Sequence, residues 1–69
     1  MIYQNIKRIA KERGLSIRNI ERDLKMPNGL LGKYEHSAPS VYRAYEVAKY
    51  LGCTVEDLVT ENEQPIDNG

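Results

Sequence analysis

Apolar residues recur at helical spacing along most of this chain, and short capping residues punctuate them. Ile2, Ile6, Ile9 and Ala10 share one side of a helix over about Ile2–Arg13, with the aliphatic stem of Arg13 beside them and Gly14 as the stop. Ser16 is placed to cap a second helix whose stripe is Ile17, Ile20 and Leu24. Ser40 does the same for a later helix in which Val41, Ala44, Val47, Ala48 and Leu51 are expected to face inward before Gly52 ends it. Thr54 caps the last helix, with Asp57 three residues on as in a capping box and Leu58 as its apolar anchor. No stretch alternates with the period of a strand, so the pattern predicts an all-α fold.

The middle segment is ambiguous. Lys25-Met26-Pro27-Asn28-Gly29 has turn chemistry, and Gly29 and Gly32 each cost about 1 kcal/mol against Ala inside a helix. Two features pull toward a short third helix near Asn28–Glu35. Pro27 is suited to a helix start, and Leu31 and Tyr34 fall on one face. Projected at about 100° per residue, Pro27, Leu31 and Tyr34 point to the core. Gly29, Gly32, Lys33 and His36 point away, and Asn28 and Leu30 lie on the flanks. That outward face has little apolar surface to hide and allows close approach of another molecule.

Length and charge narrow the classes. Sixty-nine residues suit one small domain with a modest core, which a dimer partner would stabilise. A domain over residues 1–61 and a disordered polar tail over 62–69 are expected. No run approaches the roughly 18 apolar residues of a membrane span, and no signal peptide or anchor is evident, so a soluble cytoplasmic protein is expected. The single cysteine, Cys53, reads as a buried small hydrophobe, not a reactive thiol or zinc ligand. Net charge is zero, yet residues 1–34 carry eight cations against three acids and residues 35–69 carry two against seven. A molecule polarised in this way can turn its basic side to phosphates.

The run SIRNIERDLKMPNGLLGKYE, followed by SAPSVYRAYEVAKYLGCTVEDLV and preceded by NIKRIAKERGLS, resembles the lambda-repressor-like helix-turn-helix family of small Xre/Cro-type regulators. The resemblance covers about residues 2–60 and rests on the ordered set of elements, not on one motif. It implies a compact five-helix domain whose second helix crosses the DNA backbone while the third enters the major groove. On that basis Asn28 and Lys33 are candidate base contacts by hydrogen bonding, Leu30 by touching a thymine methyl, and Gly29 and Gly32 by admitting the helix deeply. Asn28 reads equally well as a helix cap. Ser16, Arg18 and Arg22 are candidate phosphate contacts, with Lys7, His36 and Arg43 as more distant ones. Arg18 and Arg22, four apart, repel each other unless phosphates or Glu21 relieve them. Arg8 and Glu12 read simply as an i, i+4 pair. Two positions depart from the family pattern: Ile17 stands where a polar phosphate-reaching residue is common, and Pro27 where a Ser or Thr cap is common. The reading face is therefore thin in hydrogen-bonding groups, and specificity is expected to lean on DNA shape.

No catalytic dyad, phosphate loop or metal constellation is visible, so neither an enzyme nor a cofactor or small-molecule ligand is expected. The leading expectation is a double-stranded DNA-binding repressor acting as a homodimer. The rival is a protein-interaction module of the same fold: an antitoxin, an adaptor, or the target of a protein antirepressor.

Overall fold

The computed structural model describes residues 2–60. Among them are four α-helices, α1 (Ile2–Glu12), α2 (Ile17–Asp23), α3 (Val41–Leu51) and α4 (Val55–Val59), one 3-10 helix (Leu31–Glu35), and no strand. The fold is all-α. Each expected cap is in place: Ser16 Oγ accepts from the Asn19 amide, Ser40 Oγ from the Arg43 amide and Thr54 Oγ1 from the Asp57 amide. The expected tail over 62–69 and the boundary at residue 61 lie outside the described residues.

The middle segment differs most from expectation. Residues 28–30 form a turn, and only Leu31–Glu35 is helical, with 3-10 geometry. Its bonds are the short i→i+3 kind, Leu30 N–H to Pro27 O at 3.1 Å and Lys33 N–H to Leu30 O at 3.1 Å. Pro27 brings no amide hydrogen, and Gly29 has φ of +89°, which no α-helix accommodates. Gly29 therefore precludes an α-helical start at Asn28, whereas Pro27 alone would have allowed one.

One core joins all five elements. Ile6, Ile9 and Ala10 from α1 meet Ile20 from α2, Leu31 from the 3-10 helix, Val47, Ala48 and Leu51 from α3, and Leu58 from α4. The α1 helix packs against the 3-10 helix and α4, and α3 packs against α4. Tyr34 leans on this core half-buried. Two inward assignments fail. Pro27 is exposed, because it lies outside any helix and the preceding Met26 is the side chain that turns in. Val41 is 69% exposed. It belongs to the stripe of Ala44, but at the first position of α3 it rims an open groove instead of meeting a neighbour. Leu58, the expected anchor of the last helix, is fully buried, whereas its neighbour Val59 is 51% exposed.

Buried polar groups tie the ends together. Asn5 is 6% exposed, and its Nδ2 donates to the Leu58 and Thr60 carbonyls, both at 2.8 Å. It thereby satisfies carbonyls that the five-residue α4 cannot pair itself. Arg13 Nε donates to the Leu51 carbonyl, fixing the end of α1 to the end of α3. Cys53 is half-buried against the core, and burial pushes its thiol up from the usual value, which leaves little thiolate.

Candidate nucleic-acid interface

The α2 helix begins with a complete capping box. Ser16 Oγ accepts the Asn19 amide at 3.0 Å, and Asn19 Oδ1 accepts the Ser16 amide at 2.9 Å. The hydroxyl of Ser16 also donates to Asn19 Oδ1 at 3.0 Å, so its polar capacity is largely used within the chain. Ile17 is half-buried on the core and Ile20 fully buried, which turns the opposite face of α2 outward. Arg18 and Arg22 stand exposed on that face. Arg22 Nε is 3.4 Å from the Asp23 carboxylate, a solvated contact worth little.

Glu21 does not relieve those arginines. It is 3% exposed and turned inward, with Oε1 accepting the Gly29 amide at 3.1 Å and Oε2 accepting the Leu31 amide at 2.9 Å. A carboxylate from the middle of α2 thus caps the segment that follows the turn. That segment has no side-chain cap of its own, since Leu30 precedes the 3-10 helix. Among the described residues Asn28 makes no side-chain hydrogen bond, so its reading as a helix cap is not supported. Arg18, Arg22 and Asn28 line one notch of about 170 Å³ with Met26 and Glu21.

Along the segment that begins at the notch, Asn28, Gly29, Lys33 and His36 are exposed, while Leu30 and Gly32 are half-buried. Leu30 packs against the core, so only part of it faces outward. The two glycines differ in kind. Gly29 is required by its left-handed φ of +89°. Gly32 has an ordinary φ, and a Cβ built there would meet nothing within 4 Å, so nothing within the chain demands glycine at that position.

The outlying candidates have partners or other tasks. Lys7 Nζ sits 5.1 Å from the centre of the Tyr3 ring. Arg43 pairs with Glu46 at 3.0 Å. Arg8 and Glu12 form the expected i, i+4 pair at 3.6 Å. His36 follows the 3-10 helix, and beside it the Ser37 hydroxyl donates to the Lys33 carbonyl at 3.1 Å. The structure therefore brings Arg18, Arg22 and Asn28 together, with Lys33 further along the same segment. It does not place Lys7 or Arg43 in that notch.

One further contact holds the face in place. The Tyr50 hydroxyl donates to Asp23 Oδ2, linking the end of α2 to the end of α3. This bond holds the Asp23 carboxyl below its ordinary value and raises the Tyr50 phenol above its own. Glu21 and Met26 are the residues that sequence reasoning missed. For Glu21 a signal existed: Ile17, Ile20, Glu21 and Leu24 follow the i, i+3, i+4, i+7 spacing of a buried face, so a carboxylate occupies a core position.

No family profile, curated protein or solved structure matches this chain.

Proposed function

We propose that this chain is a double-stranded DNA-binding regulator of the lambda-repressor-like helix-turn-helix kind, acting as a homodimeric repressor. What supports this function is the exposed pairing of Arg18 and Arg22 on α2 with Asn28 and Lys33 on the segment after the turn. In that arrangement α2 lies across the phosphates and the segment Asn28–Glu35 faces base edges. Arg18 and Arg22 carry the backbone contacts, with Ser16 at the helix start. Asn28 and Lys33 carry the donors for base edges, and Leu30 offers a partial apolar contact. Gly32, which no feature of the chain requires, lets the 3-10 helix approach closely. Because the helical part is only Leu31–Glu35, the reading surface is short and shape readout carries much of any specificity.

The test is binding to a duplex across a salt series. Affinity is expected to fall with salt with a slope equivalent to several phosphates, and one sequence is expected to bind more tightly than the rest. Arg18→Ala or Arg22→Ala should weaken all sequences alike and reduce the slope by about one, whereas Lys33→Ala should change the preferred sequence. Undetectable binding at low salt would remove the proposal.

A second function rests on a different surface. Val41, Tyr42, Tyr45 and Val59 are large apolar or aromatic residues left 51–83% exposed. Val41 and Val59 line, with Ile2, Pro39 and Val55, an apolar groove of about 310 Å³. A protein-interaction module of the same fold would use that face and would not need the arginines.

A further inference from the structure

Glu21 is out of place for a structural residue. A carboxylate at a position 3% exposed is costly to desolvate, and an apolar side chain there with a Ser or Thr cap at residue 27 would complete the same fold locally. Instead both oxygens of Glu21 are committed to backbone amides eight and ten residues away. Two bonds from one rigid, planar group fix orientation as well as distance. The clamped amides, at Gly29 and Leu31, lie between the two donor side chains of the reading segment. Asn28 precedes the first and Lys33 follows the second. Glu21 itself is flanked on α2 by Arg18, three residues before, and Arg22, one after.

We propose that Glu21 is a positioning residue for DNA reading: its carboxylate caps the reading segment from α2, sets the register of Asn28 and Lys33 relative to the arginines that face phosphate, and leaves the Asn28 side chain free to meet DNA. The proposal rests on the DNA-binding function above. It explains how a segment with Pro27 in place of a capping hydroxyl, and with Leu30 just ahead of its helical turns, keeps a defined shape. It also explains why Asn28 has no hydrogen bond within the described chain although Asn is well suited to capping.

The experiment selects bound sequences from a randomised duplex pool with the wild-type protein, Glu21→Gln and Glu21→Ala. Exchange of the Gly29 and Leu31 amides is followed by NMR in the same samples. Gln retains one acceptor oxygen but presents an N–H₂ where the second oxygen was, so one clamp bond is lost and the side-chain volume is kept. Glu21→Ala is expected to lose about tenfold in discrimination between the best and random sequences, comparable to one good base contact. The salt slope should stay unchanged, because the arginines remain, and Glu21→Gln should fall between the two. Should the Ala variant fail to fold, Glu21→Gln carries the test alone. A folded Glu21→Gln whose Gly29 or Leu31 amide exchanges faster, yet which selects the same sequence with undiminished discrimination, overturns the positioning role. A loss of salt slope in parallel with discrimination also overturns it, since that reports general loosening. Wild-type protein that binds no duplex would instead remove the DNA function, and the positioning role with it.

Discussion

Lys25 adopts φ of +59°, a left-handed conformation that an L-residue other than Gly, Asn or Asp rarely takes. Its setting explains why. The chain leaves α2 through the same paired bonds that close α1 and α3: Met26 N–H to Glu21 O at 2.8 Å and Lys25 N–H to Arg22 O at 3.2 Å. At the equivalent positions of the other two helices stand Gly14 and Gly52, with φ of +72° and +78°. Lys25 thus bears a strain of about 1 kcal/mol that glycine avoids. Lys25→Gly should raise the stability of the fold by up to about that amount, read as a higher urea midpoint with an unchanged slope. An unchanged or lower midpoint would mean that the lysine side chain contributes more than its backbone costs. The comparison matters because Lys25 occupies the turn between α2 and the 3-10 helix, where a charged side chain in place of glycine adds one more cation to the basic half of the chain.

Among the elements, the four α-helices were legible because each has both a periodic stripe and a polar cap within three residues of its start, or a glycine at its end. The Thr54–Asp57 box was visible as two letters three apart and is present at 3.0 Å in both directions. The middle segment was not legible to the same degree. Its conformation depends on Glu21, a contact from outside any local window, and on a 3-10 geometry that apolar spacing cannot distinguish from an α-turn. For the same reason the outward face was largely anticipated at Lys33 and His36, yet Pro27 was misplaced and Met26 overlooked. Val41 shows a further limit: periodicity reports which stripe a residue joins, not whether a neighbour lies over that end of it.

The contact between α2 and α3 gives a pH signature. Asp23 has its carboxyl held below the ordinary range, first by the Tyr50 hydroxyl and then by Arg22, so its contribution is complete above about pH 4 and is lost as pH falls through the depressed value. Tyr50 has its phenol raised, chiefly by the same bond, so its contribution is complete below about pH 10 and is lost as pH climbs through the raised value. Tyr50→Phe should therefore lower stability by a constant amount across the neutral range. The gap to wild type should close at both acid and alkaline extremes. Asp57, lowered by the Thr54 backbone and hydroxyl, preserves part of the acid limb in both proteins. Denaturation midpoints of the two proteins over a pH series check this. A gap that stays open in acid would show that the phenol acts by packing and not through Asp23.

At the scale of the whole molecule, charge and apolar surface are segregated. Residues 1–34, which contain α1, α2 and all but the last residue of the 3-10 helix, carry a net +5, whereas residues 35–69 carry −5. Under the proposed DNA-binding function, zero net charge would give no long-range pull toward DNA, but this separation would orient the approach, with α2 leading and α4 trailing. The apolar groove is built from Ile2, the approach to α3 at Ala38 and Pro39, Val41, Ala44, and the α4 residues Val55 and Val59. It draws mostly on the acidic half, so two copies meeting there would place acid near acid. Any dimer held at this groove must therefore rest on apolar contact and should tighten with salt, while DNA binding weakens with salt. The two dependences separate the two surfaces in one experiment. Sedimentation at rising salt is expected to show a growing dimer fraction, and Val59→Asp, a change at a half-exposed position away from the arginines, should abolish the dimer while leaving the salt slope of a single half-site intact. A wild-type monomer at high micromolar concentration and high salt would leave DNA itself as the only agent able to bring two copies together.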